Sequence, residues 1–284
     1  MRLVCLGYGF SAEATANTLA ADQTFGTTRS PERAAAMTGV EPIIVGDTRS
    51  DALADALREA THILIGAGLS NGADPFLATY ADAMTGAKWI GYLSTIGVYG
   101  DAGGAWVDET TPANPSEPRN QARVVVEQAW QAHGAAHNIP VAIIRLAGIY
   151  GPGRNQFVSL RSGKARRIIK PGQVFNRIEV TDIGAIAAAA ARQRAAGIFN
   201  GADDEPAPPQ EVVEFAANLM GVEPPPAIAF ADADMSPMAR SFYSDVKRVA
   251  NRRTKQVLGV TLTAPTYREG LTQLWESGRW RGLS

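Results

Sequence analysis

Short apolar runs alternate with longer segments of helical character over the first 200 residues of this chain. The apolar runs predict strands at 3–6, 24–29, 41–45, 62–66, 88–94, 141–146 and 198–200. The other segments predict helices at 12–22, 51–60, 75–85, 118–137, 181–195 and 210–220, and one more that begins at Pro31 after an N-cap at Ser30. Strands that alternate with helices in this way are typical of an α/β protein with a parallel sheet.

Glycine and proline clusters mark a change of organisation after Gly151. They lie at 151–153, 170–172, 205–209 and 224–226, and they are short enough to be connectors. We therefore expect a larger domain at 1–152, to which residues 178–202 return. A smaller C-terminal lobe, formed by 153–177 and 203–284, would then hold a substrate.

Composition and charge argue against several classes of function. The 284 residues carry a formal net charge of −1, so no basic surplus indicates a nucleic-acid partner. No apolar segment reaches the roughly 20 residues that span a bilayer and no leader is visible, so we expect a cytoplasmic protein without a membrane partner. Cys5 lies in the first apolar run and should be buried. His133 and His137 are four residues apart and could share a metal on a helix, but neither they nor His62 have a third ligand at metal spacing, so no metal is predicted.

A glycine loop joins the first predicted strand to the first helix and reads Gly7-Tyr8-Gly9-Phe10-Ser11-Ala12. Gly7 permits a sharp turn, Gly9 has no side chain to block a phosphate, and Ala12 lets the helix lie close to the strand. The N–H groups at a helix N-terminus bind a pyrophosphate. The loop therefore predicts a dinucleotide site in a doubly wound Rossmann sheet, and a plain turn is the alternative.

The end of the second predicted strand indicates which dinucleotide is bound. It carries Arg29, Ser30 and Arg33, but no carboxylate of the kind that holds the ribose of NAD. Arg29 could pair with a 2′-phosphate and Ser30 could donate to it, with Arg33 one turn further on. We therefore predict NADP in preference to NAD. The alternative is that Arg29 is a solvated surface arginine.

Two further segments are candidates for the cofactor site. Asp47 follows the third strand and either reaches the adenine or caps the next helix. The segment Gly66-Ala67-Gly68 follows the fourth strand, where small residues would let the backbone approach the cofactor ribose.

Several segments, in the right order along nearly the whole chain, resemble the extended short-chain dehydrogenase/reductase family, which includes the nucleoside-diphosphate-sugar epimerases and dehydratases. Residues 93–100 read LSTIGVYG, residues 145–153 read RLAGIYGPG and residues 177–183 read RIEVTDI. The tail at 244–251, 258–259 and 267–271 is also similar. The resemblance implies a nucleotide-binding domain with a substrate lobe, and a homodimer formed through the helices at 75–85 and 118–137.

The resemblance also implies a Tyr-x-x-x-Lys pair, which this chain lacks. Arg119 and Arg123 stand at those two positions, when Glu127 is aligned with the family's glutamate. Arginine does not give up its proton in a protein, so Arg119 cannot replace the tyrosine as an acid. Arg119 could contact the substrate and Arg123 the nicotinamide ribose or a phosphate. Alternatively, Arg119, Arg123 and Glu127 form a salt-bridged exposed face of one helix.

Other residues are candidates for catalysis and substrate binding. Thr95 matches the family's third catalytic position, and Ser94 stands beside it. Tyr99 and Tyr150 lie near the C-terminal ends of strands, where they either supply a proton or only pack. A set of basic residues either lines a cavity for an anion such as a diphosphate, with Arg177 on the substrate, or forms a solvated loop: Lys164, Arg166, Arg167 and Arg177.

Two functions remain open from these residues. The first is an NADP-dependent oxidoreductase or epimerase, of the atypical branch of the family, that acts on a nucleotide sugar or a small carbonyl compound. The second is a non-catalytic sensor of NADP(H) or of a nucleotide sugar. The glycine loop favours both, and the missing Tyr-x-x-x-Lys pair favours the second.

Overall fold

The computed structural model describes residues 1–282, with a parallel β-sheet at its centre. In chain order the strands are β1 (Arg2–Leu6), β2 (Gln23–Thr28), β3 (Glu41–Ile44), β4 (His62–Ile65), β5 (Trp89–Thr95), β6 (Trp106–Val107), β7 (Val141–Leu146), β8 (Gly148–Tyr150), β9 (Arg167–Ile169), β10 (Arg177–Glu179), β11 (Gly197–Gly201), β12 (Ala227–Ala229) and β13 (Arg248–Val249). The helices are α1 (Phe10–Leu19), α2 (Pro31–Ala36), α3 (Asp51–Arg58), α4 (Leu77–Tyr80), α5 (Pro118–His137), α6 (Gln156–Arg161), α7 (Val180–Gln193), α8 (Pro209–Met220), α9 (Pro237–Ser241), α10 (Arg252–Leu258) and α11 (Tyr267–Glu276).

Seven strands form the main sheet in the order β3-β2-β1-β4-β5-β7-β11, and every neighbouring pair is parallel. The chain therefore has the predicted α/β fold with a doubly wound Rossmann sheet. The strand order reverses between β1 and β4, and sheets of this type bind ligands at the C-terminal ends of the strands beside such a point. Outside this sheet, β8 pairs with β10, β9 with β12, and β6 with β13.

The apolar runs form strands that are buried on both faces. Leu3 and Cys5 of β1 face a core that includes residues of α1 and α7, whereas Val4 and Leu6 face a second core with residues of α3 and α5. Burial on both faces explains why these strands read as continuous apolar runs. Burial also raises the pKa of the Cys5 thiol to about 12, and the expectation of a buried cysteine is confirmed.

Small residues let α1 and α7 approach closely beneath the glycine loop. A Cβ on Gly184 of α7 would lie only 2.6 Å from the backbone oxygen of Ala14 in α1. Helix α1 begins at Phe10 and ends at Leu19, because Ala20 adopts a left-handed conformation with a φ of 50°. The predicted extension to residue 22 was therefore wrong, since those residues lead into β2.

The smaller group of elements has its own core between α6, α8 and α11. Its fully buried side chains include Phe157, Tyr267 and Leu271. An aromatic cluster near β9 and β12 adds Phe175 and Tyr243, whose ring centroids lie 5.0 Å apart. These elements occupy the predicted lobe region, whose exact limits stay a prediction.

One predicted helix is much shorter than expected. In place of a helix at 75–85 the chain forms only α4 and a 3-10 turn at Ala81–Ala83. Tyr80 leaves the helical conformation, with φ of −127° and ψ of 11°, and its hydroxyl accepts a hydrogen bond from the Ser50 N–H at 2.8 Å. This tertiary contact overrides the local helical preference. The proposed dimer would therefore lack one of its two long helices, and the homodimer stays a prediction.

Within residues 1–282, no helix combines the length and the apolar character that crossing a membrane requires.

Candidate functional site

A cavity of about 930 Å³ opens at the C-terminal edge of the main sheet and extends into the smaller lobe. It brings together many of the residues that the sequence singled out: Gly9, Phe10, Ser11, Ala12, Gly66, Ser94, Thr95, Arg119, Arg123, Tyr150 and Arg177. Other candidates do not line it: Gly7, Tyr8, Arg29, Ser30, Arg33, Asp47, Ala67, Gly68 and Tyr99. The cavity therefore runs from the glycine loop, past the end of β5 and the start of α5, to the lobe.

The glycine loop has the shape that a pyrophosphate needs. Gly7 has a φ of +84°, and a Cβ there would lie 2.6 Å from the backbone nitrogen of Ala67. Gly9 precedes α1 in an extended conformation, and no atom lies within 4 Å of the position that its Cβ would occupy. No side chain caps α1, so its first N–H groups are free to bind a ligand. These observations fit a dinucleotide phosphate at this helix end.

Residues of β2 support the glycine loop on the side that faces away from the cavity. The Tyr8 N–H donates to the Thr27 backbone oxygen at 2.9 Å, and its buried ring packs against Gly26 of β2. The Gly7 N–H donates to Thr27 Oγ1 at 2.7 Å. Tyr8 therefore shapes the loop and does not face the cavity, contrary to its predicted place in the cofactor site. The donors that face the cavity belong to the first turn of α1, which begins at Phe10.

The end of β2 leaves two arginines exposed. Neither Arg29 nor Arg33 forms an ion pair with any residue that the structure describes. The Ser30 hydroxyl instead accepts from the Arg33 N–H at 3.1 Å and donates to the Glu32 carboxylate at 2.6 Å. Ser30 is thus the cap of α2, and a hydrogen bond from its hydroxyl to a 2′-phosphate stays a prediction.

The structure also separates the two interpretations of Asp47. Ser50 caps α3 by accepting from the Leu53 N–H at 3.3 Å, so Asp47 is not the cap. Asp47 is exposed beyond the end of β3, where its interpretation as an adenine contact stays a prediction. Ala67 lies against Gly7, and the Cβ position of Gly68 is open.

The end of β5 presents two hydroxyl groups with different hydrogen-bonding capacity. Ser94 donates to the carboxylate of Glu127, which also accepts from the Arg145 guanidinium at 2.7 Å. Glu127 and Arg145 are both buried, so this ion pair holds the end of β5 against α5 and β7. Thr95 Oγ1 accepts from the Gly97 N–H at 3.1 Å, which leaves its own proton to donate into the cavity.

Tyr99 lies behind this ion pair and outside the cavity. Its hydroxyl donates to Asn200 Oδ1 at 2.8 Å, and the Arg145 guanidinium carbon lies 4.8 Å from its ring centroid. Burial raises the pKa of Tyr99 above its usual value. The prediction of Tyr99 as a catalytic residue was therefore wrong, and its packing role holds.

Tyr150 lines the cavity with its ring alone. Its hydroxyl is buried and has no hydrogen-bond partner among residues 1–282. A Cβ on Gly270 of α11 would overlap that hydroxyl, which shows that it points into the lobe core. Burial raises the pKa of Tyr150, so the phenol keeps its proton. Tyr150 forms a cavity wall, and a role as proton donor has no geometric support.

The first turns of α5 bring Arg119, Asn120 and Arg123 to the cavity. The Arg119 guanidinium carbon lies 4.6 Å from the ring centroid of Phe242, and Arg123 donates to the Tyr92 hydroxyl. Neither arginine forms an ion pair in the described part of the chain. The alternative of a salt-bridged exposed face was therefore wrong.

Asn120 is a cavity residue that sequence reasoning missed. It is 8% exposed, and its amide nitrogen lies 2.7 Å from the position of a Cβ on Gly97. A single asparagine in a helix gives no periodic signal. Its spacing of three residues from Arg123 could have indicated it, because i and i+3 positions share a helix face.

The lobe contributes mostly basic groups. The Arg177 guanidinium donates to the backbone oxygens of Phe175 and Ala207 at 2.9 and 3.3 Å. Arg167 pairs with Glu214 at 3.3 Å and does not line the cavity, unlike Lys164 and Arg166. In all, seven basic side chains line the cavity and one acidic side chain does: Arg119, Arg123, Arg154, Lys164, Arg166, Arg177 and Lys247, against Asp245.

Lys247 is a second cavity residue that sequence reasoning missed. It is buried, donates to the backbone oxygen of Gly100 at 2.6 Å and pairs with Asp245 at 3.3 Å. Burial lowers the pKa of Lys247. Beside Arg177, whose backbone oxygen accepts from the Asp203 N–H at 2.7 Å, Asp203 is 1% exposed, and burial raises its pKa to about 8.

Comparison with known proteins gives consistent results. The model of the NAD dependent epimerase/dehydratase family matches residues 76–183. Protein YeeZ of Escherichia coli (strain K12) is 34% identical over 220 residues, which cover 70% of this chain and 75% of YeeZ. A functionally unknown conserved protein from Silicibacter pomeroyi DSS is 44% identical, with a TM-score of 0.89 over 97% of this chain and 98% of that one. The human epimerase family protein SDR39U1, solved with NADPH, is 17% identical, with a TM-score of 0.73 over 97% of this chain and 99% of that one.

Proposed function

The chain belongs to the NAD dependent epimerase/dehydratase family, and we propose that it is an NADP-binding oxidoreductase or epimerase. Its substrate is a small carbonyl compound or a nucleotide sugar that enters the cavity on the side of the lobe. The observation that carries this proposal is the open start of α1, where no side chain caps the helix and the Gly9 side of the loop is free. A pyrophosphate fits that combination of donors and space.

The preference for NADP rests on Arg29 and Arg33. Both are exposed beside the end of β2 and neither is paired with a carboxylate within residues 1–282. A guanidinium group binds a phosphate in a fork geometry, whereas the ribose of NAD offers no such charge. Neighbours of similar fold were solved with NADPH or with NAD, so the preference rests on these arginines alone.

The side chains at the end of β5 determine how the chain would hold the substrate beside the nicotinamide ring. A bound nicotinamide dinucleotide supplies hydride transfer. Thr95 donates a hydrogen bond to the substrate oxygen, because its hydroxyl oxygen accepts from the Gly97 N–H and its own proton stays available. Ser94 can only accept from the cavity, because its proton is held by Glu127. The proton that the substrate oxygen gains or loses during hydride transfer comes from water or returns to it, since Arg119 cannot release a proton.

The missing Tyr-x-x-x-Lys pair favours a second candidate function. A chain that binds NADP(H) or a nucleotide sugar in this cavity without transferring hydride would act as a sensor. The glycine loop serves a sensor and an enzyme equally, so a measurement of substrate turnover distinguishes them.

The test is a fluorescence titration with NADPH and NADH, followed by a screen for NADPH oxidation with carbonyl compounds and nucleotide sugars. We expect wild type to bind NADPH and Gly9→Val to weaken binding at least about tenfold, because the new side chain fills the space of the phosphates. Gly86→Val is the matched control, since Gly86 is exposed and away from the cavity. Equal affinity of wild type and Gly9→Val would overturn the cofactor site. Tight binding without turnover on any substrate would favour the sensor.

A further inference from the structure

The start of α5 carries two arginines, and neither forms an ion pair with a carboxylate among residues 1–282. Arg119 stacks on Phe242 and Arg123 donates to Tyr92, whose pKa burial raises to about 12 and which is therefore a neutral phenol. Neither neighbour removes charge from a guanidinium group. Half-buried charges without a counter-ion are costly, so a ligand that supplies the counter-charge gains affinity there.

The rest of the cavity has the same sign. Of its eight charged lining residues seven are basic, and the one carboxylate, Asp245, already pairs with Lys247. A concave site lined by one sign of charge focuses its field and attracts the opposite charge. The overall net charge of −1 makes this local positive excess a property of the cavity and not of the whole protein.

The fold places these donors close to the reacting end of the cavity. Asn120 lies between the two arginines in sequence, and its amide approaches Gly97 just beyond Thr95. Phe242 is 56% exposed and offers an apolar face beside Arg119.

We propose that Arg119, Asn120 and Arg123 form an oxyanion clamp, the α5 clamp, which binds a carboxylate or phosphoryl group of the substrate beside Thr95. This inference rests on the proposed function of the cavity and narrows its substrate class to molecules with an anionic group near the reacting carbon and a planar or apolar body that packs on Phe242. Arg119 and Arg123 stand at the positions of the family's Tyr-x-x-x-Lys pair. In this chain those two positions thus bind an anion. Two arginines provide forked donors that match both oxyanions.

The test compares anionic and neutral probes that share an aromatic body. Protein saturated with NADPH is titrated by calorimetry with cinnamate, with the neutral cinnamamide and with phenyl phosphate. We expect at least one of the two anions to bind about tenfold or more tightly than cinnamamide, because charge-assisted hydrogen bonds are stronger than neutral ones. The larger gain of the two identifies the oxyanion as carboxylate or phosphoryl.

Variants connect that difference to the clamp. Arg119→Gln should remove most of the advantage of the anion, Arg119→Lys should retain part of it, and neither should change the affinity for cinnamamide. Arg252→Gln is the control, since Arg252 is exposed on α10 and forms no ion pair within the described chain. Anions that bind no more tightly than cinnamamide, or an advantage that survives in Arg119→Gln, would overturn the clamp.

The same titration without cofactor separates this inference from the proposed function. If NADPH does not bind, the proposed function fails, but the difference between cinnamate and cinnamamide and its loss in Arg119→Gln still test the clamp. If NADPH binds and the anions gain nothing, only the clamp fails.

Discussion

The two ends of the cavity are built on different physical principles. At the cofactor end, the site is formed by backbone geometry: Gly7 turns the chain and Gly9 leaves space. The N–H groups of Gly7 and Tyr8 donate to Thr27, the Gly9 N–H donates to the Gly7 oxygen at 2.9 Å, and no side chain caps the start of α1. At the α5 end, the site is formed by side-chain charge. Arg119 contacts Phe242 and Arg123 contacts Tyr92, and neither arginine has an acidic partner within residues 1–282. Backbone geometry constrains a site to one ligand shape, whereas side-chain charges can be exchanged without changing the fold.

The largest effect is expected at the ion pair that supports the α5 end of the cavity. Removing the carboxylate in Glu127→Ala leaves Arg145 as a buried charge without its partner, which costs about 3–5 kcal/mol. Chemical denaturation measures this loss of unfolding free energy. Gln128→Ala is the control on the same helix, since Gln128 is exposed. A loss below about 1 kcal/mol in Glu127→Ala would show that the pair does not hold the β5 end in place.

The next effect separates the two glycines of the loop. Gly7→Ala should lower the unfolding free energy by about 2 kcal/mol or more, because its φ is positive and its Cβ would clash with Ala67. Gly9→Ala should change it by less than about 1 kcal/mol, because its Cβ meets no atom within 4 Å. Both substitutions should weaken NADPH binding. If Gly9→Ala were as destabilising as Gly7→Ala, the open space at Gly9 would be disproved.

A pH effect probes the lobe side. Asp203 has a pKa raised to about 8 by burial, so the folded state holds a proton that the unfolded state releases at a lower pH. Its contribution to stability is present at low pH and is lost as the pH rises towards 8. Asp203→Asn should therefore gain stability over wild type by about 1 kcal/mol or more between pH 5.5 and pH 8, measured by urea midpoints. A difference between the two proteins that stays constant with pH would contradict the raised pKa.

The smallest effect concerns the choice of cofactor. Arg29→Ala should weaken NADPH binding about tenfold and leave NADH binding nearly unchanged, because one forked contact to the 2′-phosphate is lost. Fluorescence titration measures both affinities, and Arg252→Ala serves as the control for a general loss of charge. Equal losses for NADPH and NADH would remove the 2′-phosphate assignment.

The contrast between the two ends also explains what could be predicted from the sequence. The main-sheet strands were found within about two residues and α5 at its observed limits, because buried apolar runs and long helices leave strong local patterns. The glycine loop was found for the same reason, since its spacing encodes its geometry. The predicted helix at 75–85 was wrong, because the hydrogen bond between Ser50 and Tyr80 joins residues distant in sequence and leaves no local pattern.

Side-chain partners were the part that sequence patterns could not provide. Tyr99 resembled a catalytic residue by position, but its hydroxyl direction depends on Asn200, which is about 100 residues away. Asn120 and Lys247 were missed, although both line the cavity: Asn120 had only its spacing of three residues from Arg123, and Lys247 lay within the segment 244–251 with no role of its own. Short strands such as β6 and β13 were too brief to leave a pattern.

The most direct test of the central claim is a crystal structure of the full chain with NADPH. The account predicts pyrophosphate oxygens within about 3.2 Å of the backbone nitrogens of the first turn of α1, at Phe10 and Ser11, with the Gly9 side of the loop in contact with the phosphates. A pyrophosphate bound elsewhere, with those N–H groups left free of it, would contradict the account.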